Sequence, residues 1–421
     1  MTILGDMLST LMERRYAFRP RRSRRPMQTL LDSLLGSLGD VSGSSLAAEI
    51  LDTYGAMDEA GRAEFFELLL TRYGLDEDAL GTALAGWRAK ADGASYRAFQ
   101  QAAEPRRQEI ARRLNQLPGA TGRLVDMRAD LLRLLPERPE LGPVDEDLRH
   151  LFRSWFNRGF LVLRPISWHT PADILERIIG YEAVHSIGSW QELRQRLEPE
   201  DRRCFAFFHP AMPDDPLIFV QVALTRGIPG AIGPLLAPDS APLPAEEADT
   251  AVFYSISNCQ KGLAGISFGD ILIKQVVERL SLELRELQTF VTLSPIPGFT
   301  RWLERVGLEP QALAPDSHEA LAAQYLLEAR RPDGRPLDPV ARFHLRNGAE
   351  VHKVHPGADA SARGQAQSLG AMVNYLYDPR RIVERHQRFA EDGEIAAARA
   401  VVQAAKKGAA LLPRAEAKAK A

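Results

Sequence analysis

FYSISNCQKGLAGISFGDILIKQVVERLSLELRELQTFVTLSPIPGF, residues 253–299, reads as strand, glycine-rich turn, long helix and second strand in direct succession. Ala251–Ser257 and Thr289–Leu293 are short runs of β-branched, aromatic and aliphatic residues of strand length. Between them Ile271, Leu272, Val276, Leu280, Leu284 and Leu287 recur at helical spacing, which predicts an amphipathic helix over Gly269–Leu287. Gly262, Gly265 and Gly269 stand just before that helix. Glycines there let backbone N–H groups approach an anion, and a helix N-terminus adds unpaired donors and a favourable dipole. Strand-to-helix junctions also use glycine for close packing, so both readings stay open on this motif alone. The turn is neither a Walker A loop nor the G-x-G-x-x-G dinucleotide fingerprint. The second strand delivers Ser294 into Ser-Pro-Ile-Pro-Gly-Phe, where two prolines stiffen the backbone around a hydroxyl. A phosphate cradle and a fixed hydroxyl in one module point to chemistry on the acyl end of a phosphate-bearing carrier.

Outward from this stretch the chain falls into two regions. From Met27 to Leu135 the pattern is helical, with faces such as Met27, Leu30, Leu31, Leu34, Leu35, Leu38 and Leu80, Leu84, Trp87. Breaks at Gly43, Gly74, Gly93 and Gly119 give helix-hairpin lengths, so a helical bundle is expected. The proline-rich stretch 136–145 ends it, giving domains of 1–145 and 146–421. Beyond it Gly159–Leu163, Cys204–Phe208 and Leu217–Leu224 read as further strands. Helices are expected at Ala172–Glu182, His318–Arg330 and Arg380–Lys406, which makes the second domain a mixed sheet with helices. Ile228–Ala245 has no periodicity and reads as either a surface excursion or a lid.

At 421 residues, 45% hydrophobic and 26% charged, the composition is that of a globular protein of more than one domain. A net charge of −2 gives the whole chain no pull toward nucleic acid or an anionic membrane. No apolar run reaches the ~20 residues of a transmembrane helix. Cys204 and Cys259 cannot build a disulfide framework or a cysteine zinc site, and two cysteines fit a reducing compartment. Arg14, Arg15, Arg19, Arg21, Arg22, Arg24 and Arg25 form a basic tract that reads as a solvated tail, with a nucleic-acid arm or an organelle-type presequence as the alternatives. The Ala/Lys-rich stretch Ala404–Ala421 reads as a frayed end.

Among nine histidines, His344 stands out in Arg-Phe-His-Leu-Arg-Asn-Gly, ahead of an Asn-Gly turn. Ser294 lacks a G-x-S-x-G elbow, which argues against an acyl-serine hydrolase. His352 and His355 form an H-x-x-H pair without a third ligand in sequence reach, so no metal site is expected.

FYSIS, GLAGISFGDILIKQVV, LSPIPGFTRWL, PVARFHLRNGA and LGAMVNYLYD, in that order, resemble malonyl-CoA decarboxylases. The resemblance extends through DEDLRHLFRSWFNRGFLVLRPISW and, more loosely, into the helical half. It implies an α+β protein: an N-terminal helical bundle for self-association, commonly into tetramers as dimers of dimers, then an N-acetyltransferase-like catalytic domain. It further implies catalytic roles for Ser294, His344 and Tyr377, and a CoA-binding turn at Ala264, Gly265, Ile266, Ser267, Phe268, Gly269 and Asp270. Some relatives carry a glutamate where this chain has Ser267, so any charge role of that residue does not transfer. The reaction implied is malonyl-CoA to acetyl-CoA and CO₂. The thioester is itself the electron sink, so no cofactor is expected, and the implied setting is cytoplasmic. From fold alone, an acyl-CoA-dependent N-acyltransferase is the competing function.

Overall fold

The computed structural model describes residues 25–37, 40–237, 241–266 and 269–413. It divides into two compact units, Met1–Phe156 with Gln260–Ile266, and Asn157–Cys259 with Ser267–Ala421.

The described helices of the first unit are α1 (Met27–Gly36), α2 (Asp40–Gly55), α3 (Glu59–Arg72), α4 (Glu77–Ala89), α5 (Gly93–Ala102), α6 (Arg106–Leu114), α7 (Ala120–Leu134) and α8 (Gly142–Trp155). Asp58, Asp76 and Asp92 start α3, α4 and α5, their carboxylates accepting from N–H groups of the first turn. Predicted faces become core: Leu30, Leu31 and Leu34 are buried, as are Ile110 and Leu114. The Leu80–Leu84–Trp87 face departs from this, since α4 and α5 bury none of their residues. The two compact units part at 156/157. The last helix of the first unit is α8, with Pro143 in its first turn and Val144, Leu148, Leu151 and Phe152 buried. Of the basic tract only Arg25 is described, paired with Glu49.

The second unit is built on one sheet of β1 (Val162–Ile166), β2 (Arg202–Phe208), β3 (Ile218–Thr225), β4 (Thr250–Asn258), β5 (Thr289–Thr292), β6 (Ser294–Pro295), β7 (Glu350–His355) and β8 (Met372–Tyr377). Its order is β1-β2-β3-β4-β5-β8-β6, with β7 also on β8. Among the described strand pairs β4–β5 is the parallel one. That pair lasts from Thr250 to Phe253 opposite Thr289 to Thr292, and closes with Leu293 N–H donating to the Phe253 carbonyl at 3.1 Å. Beyond Phe253, β4 is paired on its β3 side alone among the described strands, so the sheet forks. A register shift opposite Gln221/Val222 leaves Tyr254 as the extra residue of a β-bulge at the root of the fork. This forked sheet is the mixed sheet with helices that the sequence predicts for the second domain.

Around it lie α9 (Ala172–Tyr181), α10 (Trp190–Leu197), α11 (Gly233–Leu236), α12 (Gly269–Glu283), α13 (Phe299–Arg305), α14 (Pro315–Glu328), α15 (Pro339–Arg346), α16 (Ala362–Ser368), α17 (Ile382–Asp392) and α18 (Arg399–Leu411). Ile174, Leu175, Ile178 and Leu193 of α9 and α10 pack on Cys204, Ala206, Phe208 and Phe219 of the sheet. Three expectations change here. The helix expected over Arg380–Lys406 is two helices, split at Gly393, whose φ of 67° ends α17. The Ala/Lys-rich end is structured through Leu411, with Gly408 packed on the Ala320 backbone; residues 414–421 lie outside the described residues. The segment read as an excursion or a lid is packed where described, Ile232 and Leu235 being buried against Val252, Tyr254 and Met372.

Candidate active site

Ser294 emerges where β5 ends and β6 begins, paired in register with Val373 of β8. Its hydroxyl donates to Thr292 Oγ1 at 2.9 Å and lies 3.1 Å from His344 Nε2. Thr292 Oγ1 also accepts the Tyr375 N–H at 3.1 Å, and its carbonyl accepts from Asn374 Nδ2 at 2.7 Å. The strand carrying the serine is thereby tied to β8 by side chains as well as by the ladder. His344 sits in α15, which starts at an aspartate N-cap with proline in the first turn, a strong helix-start pairing. The imidazole stacks on Tyr375, with ring centroids 4.5 Å apart, and its Nδ1 lies 2.7 Å from the Tyr377 hydroxyl.

These contacts select one tautomer. The Ser294 proton is committed to Thr292, so Nε2 carries the hydrogen and donates it to Ser294, which leaves Nδ1 to accept from the Tyr377 hydroxyl. The result is a directed chain, Tyr377 to His344 to Ser294 to Thr292. In a serine hydrolase the imidazole accepts the serine proton; here it donates toward the serine, whose own proton goes on to Thr292. His344 is buried, and the loss of solvation lowers its pKa from 6.5 to about 3. The imidazole is therefore neutral in the unliganded protein at neutral pH.

A cavity of about 260 Å³ opens on this pair, walled by Val184, Phe253, Ile256 and Phe343 and reaching Ser294 and His344. Val184 is held in place by Glu182, whose carboxylate accepts from the N–H groups of Val184 and His185 and from the Ser255 and Ser257 hydroxyls. Among the described residues, no Asp, Glu, Lys or Arg lines this cavity.

The turn after β4 answers the question its glycines posed. Gly262 is a packing glycine: a Cβ there would overlap the Val125 carbonyl of α7. Gly265 has φ +77° with open space around its Cα, the conformation of an exposed turn. Arg128 of α7, 1% exposed, donates to the carbonyls of Gly262 (2.6 Å) and Ala264 (3.0 Å) and is itself held by Asp145 at 2.7 Å. Those contacts belong to the first unit. Ser267 and Phe268 lie outside the described residues, while Gly269 and Asp270 form the start of α12.

Ser294, His344 and Tyr377 thus come together as the sequence resemblance implies, and Ala264–Ile266 form a turn. His352 and His355 do not meet: His352 faces Glu350 while His355 pairs with Asn374. Sequence reading missed Thr292, Tyr375 and Asp338. The first two carried no signal beyond strand propensity. Asp338 had one, an aspartate directly before a proline at the start of a periodic segment.

The forked mixed sheet thus carries a buried serine–histidine–tyrosine hydrogen-bond chain that opens on a cavity. Residues 159–321 and 309–414 match the model of the malonyl-CoA decarboxylase C-terminal domain, and 73–156 that of the N-terminal domain. The chain belongs to the malonyl-CoA decarboxylase family, whose members are carboxy-lyases. It is 34% identical over 390 residues to the mitochondrial malonyl-CoA decarboxylase of Rattus norvegicus, spanning 78% of this chain and 79% of that one. Against the goose (Anser anser anser) enzyme it is 35% identical over 326 residues, 65% of this chain and 64% of the relative. Among solved structures, the malonyl-CoA decarboxylase of Rhodopseudomonas palustris is 49% identical with a TM-score of 0.85, covering 90% of this chain and 98% of that one. That of Agrobacterium vitis is 48% identical with a TM-score of 0.84, covering 90% and 99%.

Proposed function

We propose that the cavity at the fork decarboxylates malonyl-CoA, with Ser294, His344 and Tyr377 as its catalytic residues. The observation that carries this is the directed hydrogen-bond chain ending at Ser294 and Thr292, on the wall of a cavity lined largely by apolar side chains among the described residues. In the reaction the bond between the carboxylate carbon and the α-carbon breaks, its electron pair forms the enolate of the thioester, and CO₂ leaves. One proton is then added at the α-carbon to give acetyl-CoA. The protein must set the carboxylate perpendicular to the carbonyl plane, stabilise the enolate oxygen and deliver that proton.

Ser294 turns its O–H from Thr292 to donate to the malonyl carboxylate and holds it in the cavity, where charge on a departing carboxylate is poorly solvated. His344 faces the same volume with an N–H. In the folded protein the imidazole is neutral. When CO₂ leaves, the negative charge moves to the enolate, which takes the Nε2 proton at carbon while the Tyr377 hydroxyl proton passes to Nδ1, and solvent then restores the tyrosine proton. Tyr377 keeps Nδ1 supplied with a hydrogen bond and the ring in the donor tautomer. The turn Ala264–Asp270 takes the CoA pyrophosphate.

The test is turnover of malonyl-CoA by His344→Asn and Ser294→Ala with CoA binding measured in parallel. Loss of a donor of this kind lowers kcat by about 10²–10³. Near-normal turnover by His344→Asn with intact CoA binding removes the proton-donor role. A cytoplasmic enzyme that self-associates into a tetramer through its helical unit completes the reading, supported by α4 and α5, which bury none of their side chains. Light scattering on the purified protein tests the tetramer.

A further inference from the structure

We infer that Asp338 is a positioning residue that sets the distance between Ser294 and His344, by tying the turn behind the serine to the helix that carries the histidine. The inference rests on the decarboxylase reading of the site above.

Asp338 is fully buried. Its Oδ1 accepts from the N–H groups of Val340 (2.9 Å) and Ala341 (2.8 Å), the first turn of α15. The carboxylate also accepts the N–H of Gly298, the last residue of Ser-Pro-Ile-Pro-Gly, and Oδ2 lies 3.4 Å from the Tyr325 hydroxyl. One carboxylate therefore joins three segments: the turn that begins at Ser294, the helix that presents His344 two turns on, and α14. The contact is close on every side. A Cβ on Gly298 would overlap the Tyr325 hydroxyl, and the Tyr325 ring is wedged against Phe299 and Trp302 with centroids 5.9 and 5.3 Å away. Neither segment can shift without moving the carboxylate, and the 3.1 Å between Ser294 Oγ and His344 Nε2 is set by where the two segments lie.

A plain helix cap would need only an acceptor for Val340 and Ala341, a task asparagine performs about as well as aspartate. Four donors converging on one buried group need a group that accepts on both oxygens. Ionised aspartate does so; asparagine has one accepting oxygen and would turn an N–H₂ toward Gly298 or toward the helix. The charge is costly to bury and burial pushes the pKa of Asp338 up to about 6, yet the four donors keep a carboxylate there. That combination separates a clamp from a cap.

The test is kcat and KM for malonyl-CoA in Asp338→Asn, made both in the parent and in a His344→Gln background. Misplacing reacting groups by about 1 Å lowers rates roughly 10²-fold, so Asp338→Asn is expected to lower kcat by about that factor while KM stays within about twofold. In the His344→Gln background the same change is expected to lower the residual kcat by less than about threefold, because groups that act as a unit are not additive. Asp338→Asn with kcat within about threefold of the parent reduces Asp338 to a cap, and an equal loss in both backgrounds makes its effect one of general folding; either overturns the inference. Should Asp338→Asn not fold, Tyr325→Phe removes one donor and keeps the carboxylate. It is expected to lower kcat about fivefold at constant KM, and an unchanged kcat overturns the inference equally. The His344→Gln single variant reports on the underlying reading by itself: full activity there sinks the site assignment, whatever Asp338 does.

Discussion

Replacing His344 by glutamine removes an imidazole that is neutral in the folded protein down to a pH near 3 but titrates near 6.5 in the unfolded chain. The folded pKa lies below the unfolded one, so between those values the unfolded state binds a proton that the native state refuses. The contribution to stability is complete above pH 6.5 and falls as pH drops toward 3. Each pH unit well inside that window is worth about 1.4 kcal/mol, so acidifying from pH 6.5 to about pH 4.5 removes somewhat over about 2 kcal/mol through this residue alone. Other groups titrate over the same range, but they are shared by the glutamine variant and cancel in the difference. For a unit of this size about 2 °C of Tm accompanies each kcal/mol. Thermal unfolding of both proteins across the range should therefore show the Tm of the parent falling about 5 °C further than that of His344→Gln. Differences that stay parallel over the window would refute the burial argument, and with it the neutral donor imidazole. The same argument predicts that kcat/KM, which reports the free enzyme, carries no His344 inflection between pH 6 and 7.

Three further outcomes follow from the geometry. Tyr377→Phe removes the donor to Nδ1 and frees the ring to adopt the other tautomer, so kcat should fall about tenfold or more with KM little changed, read by steady-state kinetics. Arg128→Met leaves Asp145 buried without its partner and two turn carbonyls without donors; a loss of about 3–5 kcal/mol in the first unit is expected, with weaker CoA binding by calorimetry. Val184→Ala widens the acyl cavity by about two methyl groups, so its ratio of methylmalonyl-CoA to malonyl-CoA turnover should rise roughly tenfold in competition assays.

The module 253–299 was legible because each of its signals is local: strand composition, glycine spacing, a 3.6-residue apolar period and two prolines. The helix α12 and the strands on either side appear where that pattern puts them. β7 and β8 were not legible. His352 and Lys353 interrupt the apolar alternation of β7, and Asn374 sits buried in β8 because its amide bonds the Thr292 carbonyl across the sheet. A polar residue satisfied only by a distant strand looks like a loop residue in one dimension. The same holds for the site. Ser294 and His344 were visible as residues in stiff or turn-flanked settings, while Tyr377 came from family resemblance and Thr292 from neither. What assembles them is long-range pairing of β5 and β6 with β8, which no local period encodes. The split of the last long helix at Gly393 belongs to the opposite class, a local signal passed over.

The most direct test of decarboxylation at the fork is to incubate the purified protein with malonyl-CoA in D₂O and follow CO₂, acetyl-CoA and deuterium at its methyl group. The imidazole and hydroxyl protons of His344 and Tyr377 exchange with solvent, so the account predicts CO₂ release with one deuterium in each acetyl group formed. Binding of malonyl-CoA without CO₂ release, in protein shown to be folded, would contradict it.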